Sequence, residues 1–239
     1  MYKPRIYRHW MRSEDLLTYR VVDKETDLQI STTIDLSKEA ARIVKGYRRQ
    51  LEEYISVNPR LLSSLKPMQV EADAPPIVTE MARAAALTGV GPMAAVAGTV
   101  AEFVGRELTL KSVDVIIENG GDIYIVSSKD RVVGIYAGVS PLSGRIGIKI
   151  KAVETPLGIC TSSGTVGHSL SFGNADAAIA VSSSTALADA AATAIGNLIK
   201  GEESIPKGLA FASKIDGLKG AVIIKGDKMG VCGEMEIAR

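Results

Sequence analysis

From Val113 onward the chain is dominated by short runs rich in Val and Ile: Val113 to Ile117, Ile123 to Ser127, Val132 to Tyr136, Ile146 to Ile150 and Asp176 to Val181, separated by turn-forming residues. Runs of this length and composition read as short strands, and the first four follow one another as in an antiparallel meander. Around them lie segments of helical length made of small residues: Ile77 to Leu87, Pro92 to Val104, and the stretch from the Ser182-Ser183-Ser184-Thr185 cap to about Ile199. Two further strands, Ala221 to Lys225 and Gly230 to Ile237, follow a short helix that Ser204 caps, with Pro206 in its first turn, and that runs to about Ile215. The pattern is α+β, with antiparallel sheets packed against helices. Its interior is built from small side chains, because 46% of the residues are hydrophobic but only 5% aromatic, and 23 are glycine.

The first part of the chain differs. Leu17 to Thr33 alternates as strands do and is interrupted at Asp23 to Asp27, which predicts a hairpin. Asp35-Leu36-Ser37 then offers N-cap chemistry to a helix over Lys38 to Ile55, whose Ala41, Ile43, Val44, Tyr47, Leu51 and Tyr54 share one face. Asn58-Pro59 ends that helix, and Pro67 to Pro76 reads as a loop. We expect a hairpin-and-helix elaboration over residues 1–75 and a main body over 76–239, forming one compact unit.

Lys and Arg number 28 and Asp and Glu 27, so no global field gathers nucleic acid or acidic lipid. Ala84 to Ala101 is long and uncharged enough to raise the question of a membrane span, but Gly89-Val90-Gly91-Pro92 divides it. Lys3, Arg5, Arg8 and Arg12 lie near the start with no apolar stretch beside them, unlike a secretory signal. Cys160 and Cys232 make neither a disulfide framework nor a C-x-x-C metal spacing and are expected as reduced thiols. A cytoplasmic, non-membrane protein is the expectation, and a homo-oligomer is compatible with it.

Three segments could carry chemistry. Asn119-Gly120-Gly121-Asp122 lies between two expected strands, where Asn-Gly signals an ordinary tight hairpin; the same glycines also let backbone N–H groups approach a ligand while Asp122 accepts hydrogen bonds. Asp189 lies in an expected helix with Thr185 and Thr193 four residues to either side and no Lys or Arg within a turn. Thr185, Asp189, Thr193 and Gly196 form one stripe, and Leu187, Ala191, Ala194 and Leu198 face the other way as core. A narrow, oxygen-rich stripe suits a hard cation such as Mg²⁺, with water and phosphate filling the remaining positions; the alternative is an Asp and a Thr bonded to a neighbouring loop. Thr161-Ser162-Ser163-Gly164 opens a hydroxyl-rich loop able to donate to phosphate or flavin oxygens, or simply to turn the chain. It lacks the Gly-Lys-Ser/Thr ending of a Walker A loop. His168 in this loop is a catalytic candidate, against the plainer reading of a structural side chain.

Taken in order, Asn-Gly-Gly-Asp-Ile, Thr-Ser-Ser-Gly with a following His, and Ala-Asp-x-x-x-Thr-Ala resemble the ApbE flavin transferases, roughly from Gly89 to Asn197. The resemblance implies an ApbE-like fold, binding of FAD or FMN, use of Mg²⁺, and transfer of FMN to a Thr or Ser hydroxyl of a protein acceptor. Carried over, Asn119, Gly120, Gly121, Asp122 and Thr161, Ser162, Ser163, Gly164 would hold the flavin nucleotide or another phosphate-bearing small molecule. Asp189, Thr193 and the Ile125 backbone carbonyl would bind Mg²⁺. After His168 the chain reads Ser169-Leu170-Ser171-Phe172-Gly173-Asn174, where the main branch has D-P-x-T-G. In this it is similar to the shorter UPF0280 branch of archaea and anaerobic bacteria. That likeness implies a second reading, a flavin- or anion-binding accessory protein in sulfur assimilation into homocysteine, and a third, a relative with an inactive pocket.

Overall fold

The computed structural model describes residues 8, 14–166 and 171–238. Its frame is an antiparallel eight-stranded sheet. The strands are β1 (Leu17–Asp23), β2 (Thr26–Thr32), β3 (Val115–Asn119), β4 (Asp122–Val126), β7 (Leu157–Ser162), β8 (Ala177–Ser182), β9 (Leu218–Lys225) and β10 (Lys228–Gly233), side by side in that order. A three-stranded sheet in the order β11-β6-β5 lies against it, with β5 at Arg131–Gly134, β6 at Gly147–Ile150 and β11 at Glu236–Ala238.

On the opposite side are the helices: α1 (Ser37–Val57), the short α2 (Arg60–Ser63), α3 (Pro76–Thr88), α4 (Val96–Leu108), α5 (Thr185–Leu198) and α6 (Ile205–Ala212). Strand alternation distributes side chains between the two faces. Val115 and Ile117 of β3 and Tyr124 of β4 join the helices, while Ile116, Ile123 and Ile125 join the small sheet. Because both faces are covered, the central strands are buried throughout and read as continuous apolar runs.

The hairpin at Asp23 to Asp27 forms as the sequence predicts, and α1 buries Ile43, Val44, Leu51 and Tyr54 of its expected stripe, with Ala40 buried and Ala41 exposed. α3 ends at Gly89, whose φ of 78° is the left-handed value that favours glycine; a 3₁₀ turn over Pro92–Ala95 then leads into α4. The two segments are bent by 103°, and among the described residues no single helix is long and apolar enough to cross a membrane.

Two expectations need correction. The four runs after Val113 do not make one meander: β3 and β4 pair in the large sheet, β5 and β6 in the small one, and β4 takes β7 as its next neighbour. The run from Gly230 to Ile237 is likewise split, since Gly233, at φ 86°, ends β10 and the chain crosses to β11 beside β6.

α4 and α5 cap each other. Glu102 of α4 is 1% exposed and accepts hydrogen bonds from the first backbone N–H groups of α5, Thr185 N at 2.8 Å and Ala186 N at 3.1 Å. Asp189 of α5 in return accepts from Gly98 N at 2.8 Å, in the first turn of α4. Each carboxylate meets the positive end of the other helix dipole and satisfies donors that the helix itself leaves unpaired. Replacing Glu102 by Ala strands two buried N–H groups and is expected to cost about 2 kcal/mol, with Glu102→Gln costing less because an acceptor remains. Urea unfolding measures this, and a loss no larger than that of an exposed substitution would count against the capping role.

Candidate functional site

The start of β4, the end of β7 and the middle of α5 meet on the helical side of the large sheet. Asn119 and Asp122 close a two-residue turn whose Gly120 and Gly121 have φ of 71° and 109°, the positive values a tight hairpin of this kind requires. The pleat then turns Asp122 towards the helices, with Tyr124 behind it. Asp122 is 7% exposed, and its Oδ1 accepts from Thr161 N of β7 at 3.3 Å.

Asp189 approaches from α5. The sequence stripe of Thr185, Asp189, Thr193 and Gly196 is real as a helical face, but it does not look into water: Thr185, Asp189 and Gly196 are buried and only Thr193 is half-buried. The helix is packed on several sides, by α3 and α4, by β7 and β8, and by α6. Close approach is possible because glycine stands at the contacts. A Cβ on Gly98 would lie 2.6 Å from Thr185 O and 2.7 Å from Asp189 Cβ, and one on Gly158 would fall onto Thr185 Cα. Thr185 Oγ1 is buried with no hydrogen-bond partner among the described residues.

Burial dominates the electrostatics. Loss of hydration pushes the Asp189 carboxyl up to about 7, against the lowering effect of the Gly98 and Ala97 N–H groups. Asp122 is raised well above the ordinary carboxylate range, first by burial and then by the Asp189 charge. Cys160, fully buried on β7, is raised by burial and by both carboxylates, and so stays a thiol rather than a nucleophile. Its Sγ lies 3.5 Å from Thr185 O and beside Asp122, so its single proton serves one acceptor or the other. Neither Asp122 nor Asp189 is ion-paired to a Lys or Arg among the described residues.

The sequence-derived site residues divide into three groups. Asp122, Gly121, Thr161, Ser162 and Asp189 come together: a Cβ on Gly121 would lie 3.6 Å from Thr161 O, and one on Gly196 of α5 would lie 3.4 Å from Ser162 Oγ. Thr193 stands one turn beyond Asp189 on the same helix, half-buried.

A second group serves the local architecture. Asn119 donates to Ala97 O at 3.0 Å, and the Gly121 N–H is taken by Glu118 Oε1 at 2.8 Å. Ser163 Oγ accepts from Thr165 N and Val166 N, and Gly164 N donates to Ala175 O. Ile125 stands in the middle of β4, paired with Ile116 and Leu157, its side chain in the core between the sheets. The third group is His168, which lies outside the described residues.

Sequence reasoning missed Glu102 and the place of Cys160 beside the carboxylates. A Glu in the midst of the small-residue helix, with Arg106 four residues on, was the available signal for the first. Nothing local signalled the second, which depends on β7 pairing with β4.

The donor set fits a hard divalent cation: two buried carboxylates without a paired cation among the described residues, and a hydroxyl one turn along. Mg²⁺ takes one or two carboxylates and completes its shell with water and phosphate oxygens. Among the described residues no group of three or more His, Cys, Asp or Glu side chains forms a protein-only cage. The groove of about 610 Å³ between the two sheets, which Leu157, Val181 and Leu218 line, opens at the other end of β7 and on the other face, away from these residues.

Known proteins with related sequence and structure agree with this frame. The family model described as AbpE bacteria matches residues 8–225. A UPF0280 protein of Methanocaldococcus jannaschii is 43% identical over 222 residues, covering 90% of each chain. One of Methanopyrus kandleri is 41% identical over 225 residues, covering 91% of each. Among solved structures, the flavin transferase ApbE from Vibrio cholerae superposes with a TM-score of 0.59 at 13% identity, over 91% of this chain and 96% of that one. The flavinyl transferase ApbE of Pseudomonas stutzeri, in its apo form, gives 0.55 at 15% identity, over 91% and 93%. At such identities the likeness is one of fold. The chain belongs to the AbpE bacteria family and, like the flavin transferases that share its architecture, builds its core from an antiparallel sheet packed against helices.

Proposed function

We propose that the protein binds FAD or a closely related flavin nucleotide in a Mg²⁺-dependent manner at the junction of β4, β7 and α5, and transfers FMN from it to a hydroxyl of a protein acceptor. One observation carries the reading: within a flavin-transferase fold, Asp122 and Asp189 are buried together, and no Lys or Arg among the described residues pairs with either. Asp189 and Thr193 would hold the cation, and Asp122 the nucleotide. When bound, Mg²⁺ offsets the charge of the pyrophosphate and of the departing AMP.

The chain's own residues supply position. Gly98 N fixes one oxygen of Asp189, Thr161 N fixes one oxygen of Asp122, and the Ser162 hydroxyl stands on the same face against Gly196 of α5. In the transfer, the acceptor oxygen forms a bond to the FMN phosphorus as the bond to AMP breaks, and the hydroxyl proton leaves for a base.

Flavin fluorescence titrated with and without Mg²⁺, followed by detection of AMP, tests the reading. Metal-dependent quenching and AMP release with a hydroxyl-bearing acceptor present are expected. Unchanged fluorescence with Mg²⁺ present overturns flavin binding, and binding without AMP release overturns the transfer step in favour of an accessory flavin-binding protein.

A further inference from the structure

The turn that aims Asp122 is held from outside the hairpin. Glu118, 1% exposed, spends one carboxylate oxygen on the Gly121 N–H at 2.8 Å and the other on Arg8 Nε at 2.5 Å. Arg8 is itself buried. Its Nη1 donates to Asp27 Oδ1 at 3.1 Å and its Nη2 to Asp27 O at 2.7 Å, while Gln29 Nε2 donates to the Arg8 carbonyl at 3.3 Å. One guanidinium therefore ties the chain ahead of β1 to β2 and, through Glu118, to the N–H of the residue that precedes Asp122. A planar fork is needed for this, since a lysine ammonium cannot serve Glu118 and both Asp27 acceptors along those directions.

We infer that Arg8 is a positioning residue for the nucleotide site: through Glu118 it fixes the Gly120-Gly121 turn and so supports Asp122. The inference deepens the flavin-nucleotide reading and rests on it for the ligand, but not for the turn. Without Arg8, the Glu118 carboxylate is left buried without that partner, and rotating it towards water frees the Gly121 N–H. The two glycines then leave the Gly120-Gly121 peptide free to move between its anchors, the Asn119 hydrogen bond to Ala97 O and the β3–β4 pairing.

The test compares the full-length wild type with Arg8→Met and with the double variant Arg8→Met, Glu118→Gln, in which both charges are gone but an amide oxygen can still accept from Gly121. Two quantities are read: hydrogen exchange of the Gly121 amide without ligand, and Mg²⁺-dependent FAD affinity. Arg8→Met is expected to speed Gly121 exchange and weaken FAD binding by roughly tenfold or more each, with the Ile123 and Ile125 amides unchanged, and the double variant to recover most of both.

Unchanged Gly121 exchange in Arg8→Met overturns the inference, as does acceleration spread evenly over β3, β4 and α1, which signals global destabilisation. Faster exchange with undiminished FAD affinity overturns the positioning role. A wild type that binds no FAD overturns the flavin reading and with it the ligand side of the inference, while exchange alone then decides whether Arg8 holds the turn.

Discussion

Without a divalent cation, the protein is expected to become less stable as the pH rises from about 5 to about 8, and Mg²⁺ is expected to remove most of that loss. Asp189 sits near 7 in the folded chain, above the value of 3.8 for a free Asp side chain. A carboxyl raised by folding holds its proton in the native state where the unfolded chain has already released it. Stability therefore falls as pH climbs from the unfolded to the folded value and stays low beyond it. Asp122, raised by burial and by Asp189, adds in the same direction, as does Glu102. The exposed acids held low by their partners, Asp15, Glu25 and Glu39 among them, titrate below this window.

Asp189→Asn sharpens the test. The amide oxygen can still cap the first turn of α4, but no charge is buried, so the variant is expected to be more stable than wild type at about pH 8 in chelator and to lose Mg²⁺-dependent flavin binding altogether. Urea midpoints across the pH range, with chelator and with Mg²⁺, measure the first part, and fluorescence titration the second. A wild-type stability that is flat or rising over this range in chelator would sink the account of two uncompensated carboxylates.

The second large effect is steric. Gly98→Ala sets a methyl group 2.6 Å from Thr185 O and 2.7 Å from Asp189 Cβ, and Gly158→Ala sets one onto Thr185 Cα. What they meet is backbone or the root of a side chain, which has no rotamer to escape into. Each substitution is expected to cost about 3 kcal/mol, the upper part of the range for overpacking, and to lower Tm by roughly 6–12 °C. Gly98→Ala also pushes Asp189 off its N–H donor and is expected to weaken Mg²⁺-dependent binding in the protein that remains folded.

Gly46 in α1 is the control. A Cβ there meets nothing within 4 Å, so Gly46→Ala is expected to stabilise by about 0.5–1 kcal/mol through helix propensity. Thermal unfolding ranks the three, and a Gly98→Ala protein as stable as Gly46→Ala would disprove the tight α4–α5 contact.

The sequence by itself determined the local elements, because these follow from dihedral preference and period. The charged α1 with its single apolar stripe, the turn at Asp23 to Asp27, the break at Gly89 to Pro92 and the Gly120-Gly121 hairpin were all legible before any contact was known. The order of the motifs pointed to the family, and the helical period put Asp189 and Thr193 on one face. Only the tertiary structure decided what covers that face and which strands are neighbours. Thirty residues separate the end of β4 from the start of β7, and β5 and β6 leave for another sheet in between, so no local signal reports that β4 pairs with β7. That pairing brings Thr161 and Cys160 to Asp122. Periodicity tells which residues share a stripe but carries no information about dielectric, and burial by α4 and β7 is what turns an ordinary-looking aspartate into a carboxylate that titrates near neutrality. The physical reason is one of range: backbone preference acts within a few residues, whereas hydration and charge depend on every layer packed around a group.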